Sequence, residues 1–268
     1  MTSISTGITG GWVLPRRVRH LRDLLRELVV RDMKLRYKRS YLGIAWTLIN
    51  PLMQLLVYTF VFRVLFGVQT PNYMLQLFIG ITCWTWFQSG VLESTVAILQ
   101  NRDLIRQPSF PAALLPNVTV GTHLVHFLLT FPITFAMIFY GEPRITLAVL
   151  WVPLVILVQY VLTLALGMAA ACLHAHFRDT QYLLGVFLML GFFLTPIIYD
   201  MSVVPAKYHT FYMLNPMTHI LDSYRAALVR GEAPHLASLG IVAAVSVILL
   251  WLSHKLFRTA SVTFVEEF

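Results

Sequence analysis

Six stretches of this sequence contain no Asp, Glu, Lys or Arg over lengths that a soluble fold seldom leaves uncharged. They are residues 40–62, 64–92, 107–141, 145–177, 180–199 and 236–253. The hydrocarbon core of a bilayer is roughly 30 Å thick, and about 20 apolar residues in an α-helix cross it. Trimmed at turn signals, the stretches predict membrane-spanning helices near 43–65, 73–96, 112–140, 145–172, 181–198 and 236–256.

The composition and the placement of charge agree with a membrane protein. Charged residues make up only 12% of the chain and apolar residues 57%, whereas a soluble domain has about 25% charged residues. The net charge is +8, and ten of the twenty Lys and Arg residues lie within 16–39. This block adjoins the first predicted span, which is typical of the cytoplasmic edge of a membrane protein. We therefore expect no nucleic acid partner, and after six spans both termini in the cytoplasm.

The basic block also has the pattern of an amphipathic helix. Leu21, Leu28 and Met33 recur at helical spacing with the apolar residues between them, while Arg26 and Glu27 occupy the other side. We expect residues 16–39 to lie as a helix in the cytoplasmic membrane interface; packing on a soluble partner is the alternative. Residues 1–15 are predicted to be a disordered tail, and residues 40–268 to form one transmembrane domain.

The outer segment before the last span is interrupted and too short to cross a bilayer. Pro205 and Pro216 divide residues 199–235, and residues 208–221 carry no formal charge. Backbone at membrane depth must be helical or covered by protein. We therefore predict short re-entrant helices here, with a small folded outer loop as the alternative.

The residue types needed for catalysis are sparse. The sequence lacks the G-x-x-x-x-G-K-[ST] phosphate loop, and Glu93 is the only carboxylate within a predicted span. Neither the His123 and His126 pair nor the His174 and His176 pair has the further ligands of a metal site, so polar packing is the expected role of all four. The sequence thus predicts no catalytic residue, no metal and no cofactor on this chain.

Aromatic residues are concentrated in the predicted spans. Trp84 lies eleven residues after Tyr73, or about 16 Å along a helix, which puts it near the middle of the bilayer rather than in an interfacial belt. Such residues either pack in the core or line a path for an amphipathic substrate such as a sugar. The candidates for a path are Trp46, Tyr58, Phe62, Trp84, Trp86 and Phe192.

Four stretches in this order resemble the permease subunits of ABC exporters for lipid-linked polysaccharides and teichoic-acid-like polymers. They are RDMKLRYKRSYLGIAWTLINPL (31–52), LQNRDLIRQPSFPAALLP (99–116), HFRDTQ running on to LTPIIY (176–199), and LNPMTHILDSYRAALVRG (214–231). With their spacing they cover most of the chain. The resemblance implies a polysaccharide exporter in the inner membrane of a bacterium.

The resemblance also implies partners. The chain would form a homodimer with two cytoplasmic ABC ATPase subunits, which bind the ATP and Mg²⁺, and would contact membrane lipids and a lipid-linked glycan. Residues 101–109 match the loop that couples such permeases to the ATPase. The residues expected to make this contact are Arg102, Asp103, Leu104, Ile105 and Arg106.

The basic residues before the first span suit an anionic headgroup. Arg31, Lys34, Arg36, Lys38 and Arg39 cluster where the interface helix meets the membrane, and a phosphate or pyrophosphate would be attracted there. Setting the topology by positive charge alone is an equal alternative. At the level of function, an ABC exporter of a small drug or lipid and, more remotely, a membrane-embedded sugar transferase are the competing hypotheses.

Overall fold

The structure is a computed structural model that describes residues 16–107, 110–141 and 146–267, with side chains from Arg19 to Thr259. All regular secondary structure in these ranges is helical, which confirms the predicted all-α class for them. The predicted tail at 1–15 and the end of the predicted coupling segment, Pro108 and Ser109, lie outside the described residues.

The N-terminal third contains an amphipathic helix and a first apolar helix. Helix α1 is Arg16–Tyr37, and the chain turns at Arg39, whose φ is +67°. Helix α2 is Trp46–Tyr58. A 3₁₀ turn precedes it and a π-helical turn follows it, so Gly43–Leu65 is continuously helical.

The middle of the chain forms a long central helix and a bent one. Helix α3 is Tyr73–Gln100, and the one-turn helix α4 is Arg102–Ile105. Helices α5 (Leu114–Leu129) and α6 (Phe131–Tyr140) follow each other directly. Pro132 separates them because it has no N–H for the helical hydrogen bond.

The C-terminal half completes the bundle. A 3₁₀ turn, Leu147–Trp151, leads into α7, Val152–His176, and α8 is Thr180–Leu194. Helices α9 (His209–Leu214) and α10 (Pro216–Arg225) occupy the predicted outer segment; a π-helical turn, Ala226–Arg230, ends it. Helix α11 is Leu236–Glu267.

Four helical stretches in the described residues are long and apolar enough to cross a membrane. They are Gly43–Leu65, Leu114–Tyr140, Leu147–His176 and Leu236–Thr259. The two other predicted spans correspond to α3, which is 28 residues long but carries more polar side chains, and α8, which has only 15 residues.

Helix α3 is the centre of the molecule. It packs against α2, α5, α7, α8 and α10, and Leu77, Phe78 and Ile81 on it have no exposed surface. Its contact with α7 depends on small residues. A Cβ atom on Gly90 would lie 2.7 Å from Thr163, so the two helices approach closely only because glycine occupies that position.

The turn that follows α8, residues 195–198, is held from three sides. The Asn215 side-chain amide donates to the Thr195 hydroxyl at 2.8 Å. Arg225 donates to the carbonyl of the third turn residue at 2.9 Å, and the Tyr73 hydroxyl donates to that of the fourth at 3.0 Å. These bonds fix the turn to α3 and to the outer segment.

Different elements lie at the two ends of the bundle. Arg31 on α1 contacts Asn101 beside α4, and Ile105 of α4 packs in one cluster with Phe257 of α11. Helix α1, α4 and the C-terminal part of α11 therefore share one end. The outer segment lies at the other end, where Thr146 donates to the backbone carbonyl that closes that segment.

Candidate functional sites on two faces of the central helix

A single carboxylate ties three helices together where α1 meets the bundle. Arg36 on α1 donates through Nη1 to Glu93 on α3 at 3.2 Å, and its Nη2 contacts the second carboxylate oxygen. Nε2 of His123, on α5, lies 2.9 Å from that same oxygen. Partial burial lowers the pKa of Arg36, but the hydrogen bond and charge of Glu93 outweigh it and raise the pKa above the usual value.

A cleft of about 270 Å³ opens beside this ion pair, between α2, α3 and α5. At its inner end the Tyr37 hydroxyl lies 2.6 Å from the Thr47 hydroxyl and 3.1 Å from Nε2 of His126. The side chains around it are mostly polar. The lining residues beyond the ion pair and these contacts are Trp46, Asn50, Pro51, Thr82, Thr85, Trp86, Ser89, Phe127 and Thr130.

The five basic residues predicted to bind a headgroup differ in their contacts. Arg36 is paired with Glu93, and Arg31 donates to the Asn101 side chain at 3.3 Å. Lys34, Lys38 and Arg39 are exposed. The structure therefore keeps the last three available at the surface, whereas Arg36 anchors α1.

The predicted coupling segment presents charge on the outside and one apolar residue to the core. Arg102, Asp103 and Arg106 are exposed. Ile105 is buried in a cluster with residues of α3, α5 and α11, so it faces the bundle. Leu104 is half-buried and is the apolar residue of the segment that is left partly accessible.

An aromatic groove of about 930 Å³ lies between α3, α8 and the outer segment. Its wall combines aliphatic side chains with seven aromatic residues and one amide, which are Trp84, Phe87, Phe187, Tyr199, Tyr208, Phe211, Tyr212 and Asn215. Trp84 fits against α8 because Gly191 leaves room; a Cβ there would lie 3.0 Å from the indole. The Tyr199 and Tyr212 hydroxyls lie 2.9 Å apart, and burial together with this contact raises the pKa of Tyr199.

Four of the six predicted path residues are brought together next to this groove. The Tyr58 and Phe192 rings stack with centroids 5.9 Å apart. Trp84 meets Phe192 edge-on at 6.2 Å, and Phe62 lies 6.4 Å from Tyr58. These rings connect α2, α3 and α8 in one aromatic row.

The other two predicted path residues belong to the polar cleft instead. Trp86 is 2% exposed, stacks on Phe127 at 5.0 Å and donates its indole N–H to the Val120 carbonyl at 3.3 Å. Trp46 is 45% exposed and lies at the cleft rim. The two indoles of α3 thus point to different sites, as a spacing of two residues on a helix requires.

Sequence reasoning missed part of each site. Tyr208, Phe211 and Tyr212 line the groove, and the uncharged run in the outer segment was the signal that could have pointed to them. The contact between Glu93 and His123 gave no such signal, because thirty residues separate the two and neither stands in a recognisable motif.

Comparisons with known proteins give one consistent family. The pattern of the ABC-2 type transporter family matches residues 23–229. The O-antigen export system permease protein RfbA of Myxococcus xanthus is 36% identical over 257 residues, which are 95% of this chain and 98% of that protein. The protein of the same name from Klebsiella pneumoniae is 32% identical over 213 residues, 79% of this chain and 82% of its own length. The polysialic acid transport protein KpsM of Escherichia coli is 23% identical over 240 residues, 87% of this chain and 91% of KpsM.

Proposed function

The chain belongs to the ABC-2 type transporter family, and from that premise we propose that it is the permease subunit of an ABC exporter for a lipid-linked polysaccharide. The observation that carries the proposal is the 36% identity to an O-antigen export permease along 95% of the chain. A more distant relative is named for polysialic acid transport. The chain is thus a transport permease rather than an enzyme, and a bacterial cytoplasmic membrane is its proposed location.

The proposed subunit crosses the membrane six times, with α3 and α8 as the additional spans. Protein covers α3 on most sides, so its polar side chains need not face lipid. Helix α8 continues into the pinned turn at 195–198, which adds to its 15 residues. Because α1 and the C-terminal part of α11 share one end of the bundle, an even number of crossings fits. We place that end in the cytoplasm because α1 carries the basic block.

The short outer helices are proposed to be re-entrant. Met217, Ile220 and Tyr224 of α10 are buried and belong to the main apolar cluster, which is built on α3. A loop lying outside the membrane would not need to bury an apolar face against the centre of the bundle. This burial favours insertion from the outer side over a small folded loop.

The substrate path is proposed to follow the aromatic groove, closed by a second copy of the chain. Sugar rings present C–H faces that pack on aromatic rings, and their hydroxyls suit the Tyr and Asn side chains along the same wall. On one protomer the wall is open and Phe187 and Phe211 are 68% and 71% exposed. The open wall leaves room for a second copy of the chain, which would complete the path.

Helix α4 is proposed to be the contact through which ATP hydrolysis on a separate subunit drives transport. The transport energy would come from ATP and Mg²⁺ bound on a separate ATPase, one for each permease. Exposed charges around the partly accessible Leu104 suit a cleft on such a subunit, in which the charges fix the register. At the same end, Lys34, Lys38 and Arg39 are proposed to attract the phosphate of the lipid carrier.

Copurification tests the proposal directly. Isolated in mild detergent from its own host, the chain should bring with it an ATP-hydrolysing subunit at one copy per permease. ATP hydrolysis by the pair should respond to added lipid-linked glycan. A chain that purifies without an ATPase under conditions that keep its own dimer would contradict the assignment.

A further inference from the structure

The polar cleft beside Glu93 is built from matching stripes on three helices. On α3, Thr82, Thr85, Ser89 and Glu93 recur at intervals of three or four residues, which puts them on one face over about 16 Å. Helix α5 adds two histidines, the residue that follows it adds a threonine at the same periodicity, and α2 adds Trp46 and Asn50. Polar residues at membrane depth are costly to retain, so such an alignment indicates a function.

Several polar groups in the cleft have no hydrogen-bond partner among the residues that the structure describes. The Thr82 hydroxyl donates to a carbonyl of its own helix at 2.9 Å. By contrast, within the described residues the Asn50 amide and the Thr85 and Ser89 hydroxyls make no hydrogen bond, and all three are at least partly exposed to the cleft. Pro51 also leaves the Thr47 carbonyl without its usual helical donor.

The charge of the cleft favours an uncharged guest. Its one carboxylate, Glu93, is matched by Arg36 and by the nearby His123. The exposed cations Lys34, on α1, and Lys38, directly after it, lie outside the cleft. An anionic phosphate would therefore find its free cations on α1, while the cleft offers neutral amide, hydroxyl and carbonyl groups.

The size and lining of the cleft further limit which ligands it can bind. A cleft of about 270 Å³ is at the lower limit for ligand pockets, which start at about 300 Å³, so it suits one ring rather than a chain. Trp46 at the rim is 45% exposed and offers an aromatic face. One aromatic platform with several neutral hydrogen-bonding groups around it is the chemistry that recognises a pyranose ring.

We propose that this cleft, whose inner end is marked by the ion pair of Arg36 and Glu93, binds the first sugar ring of the lipid-linked glycan, on the face of α3 opposite the aromatic groove. The proposal rests on the proposed function and adds a recognition site within one protomer to it. In this arrangement the phosphate and the sugar are bound by different groups. The phosphate contacts the exposed cations of α1. Asn50, Thr85 and Ser89 form hydrogen bonds with the adjacent sugar.

Two probes that differ only in the sugar test the proposal. One is a short-chain polyprenyl pyrophosphate carrying a single N-acetylhexosamine, and the other is the same pyrophosphate without the sugar. Binding of each to the purified chain with its ATPase is measured in nanodiscs. The test variant is Asn50→Ala with Ser89→Ala, and the matched control is Ser246→Ala, whose hydroxyl is buried on α11 and donates to the Val242 carbonyl.

The double variant should bind the sugar-bearing probe about tenfold more weakly, which is the size expected for losing one or two neutral hydrogen bonds. Its affinity for the sugar-free probe, and that of the control for both, should be unchanged. Should the double variant fail to fold, Thr85→Val, which keeps the side-chain shape at an exposed position, replaces it with the same expectation.

Two results would overturn the sugar site while leaving the exporter assignment intact. In one, the wild type binds both probes with equal affinity. In the other, the variant loses affinity for both probes to the same extent, as expected if the cleft only holds water or supports α1. A wild type that binds neither probe would contradict the proposed function itself.

Discussion

At the scale of single residues, Glu93 limits which cations an anionic headgroup can reach, because it holds Arg36 in an ion pair. The sequence alone showed that Glu93 lies near the inner end of a predicted span and that no other carboxylate lies within the predicted spans. Its partners were not evident from the sequence, because Arg36 and His123 come from other helices that only the fold brings together. The consequence matters for function, because the ion pair removes Arg36 from the set of cations available to a headgroup.

The aromatic residues show the same limit. Trp84 is one of the predicted path residues, but it is only 4% exposed and packs on Phe192, so Trp84→Ala would also leave a cavity. Phe187 lines the same groove and is 68% exposed. It therefore separates transport from packing better than Trp84 does.

Phe187→Ala should slow polymer export severalfold, because the path loses an aromatic surface. Its free energy of unfolding should change by no more than about 0.5 kcal/mol, as for other exposed positions. Phe139→Ala is the control, since Phe139 is 77% exposed on α6 and lies outside the groove. Export rate in cells and thermal unfolding of the purified protein measure the two quantities. Equal export by both variants would remove the support for the aromatic path.

At the scale of elements, the length of the apolar stretches predicted where helices occur but not which helices contact each other. The predicted span at 43–65 corresponds to the continuous helix Gly43–Leu65, because runs of apolar residues determine both. Helix α8 ends earlier than predicted, at Leu194, because Thr195 begins a turn that Asn215, Arg225 and Tyr73 hold in place. Such long-range bonds leave no periodic trace in the sequence.

The close contact between α3 and α7 gives a first prediction at this scale. Gly167→Val should sharply reduce the yield of folded protein, because even a Cβ there would lie 2.9 Å from Ser94, and larger atoms would separate the helices. Gly185→Val is the matched control, since nothing lies within 4 Å of a Cβ on that α8 residue. Fluorescence-detected size-exclusion chromatography measures both. Similar yields of folded protein from the two variants would show that the α3–α7 contact tolerates expansion.

The one-turn helix α4 gives a second prediction, in which two adjacent apolar residues behave differently. Leu104→Asp should uncouple ATP hydrolysis from export without unfolding the membrane domain, because Leu104 is partly accessible. Ile105→Asp should instead destabilise the chain by several kcal/mol, because it buries a carboxylate in the apolar cluster. ATPase assays, export assays and thermal unfolding distinguish the two. Normal export by Leu104→Asp would rule out α4 as the coupling element.

At the scale of the whole molecule, function follows from the separation of two surfaces. The exposed cations and the proposed coupling helix lie at one end and the outer segment at the other, whereas the polar cleft and the aromatic groove lie on opposite faces of α3 at overlapping depths. Composition and the basic block predicted a membrane protein, the family resemblance implied an ABC exporter permease, and the family comparison bears out that resemblance. Which aromatic residues share a surface depended on the packing of α2 and α8 against α3, which composition does not encode.

Depletion of this chain in its native host, followed by quantifying glycan on the two sides of the membrane, tests the central claim most directly. An exporter of lipid-linked polysaccharide predicts that surface polymer disappears while the same polymer, still attached to its lipid, accumulates on the cytoplasmic side. Normal surface polymer together with increased sensitivity to small hydrophobic compounds would contradict the claim and identify an exporter of drugs or lipids instead.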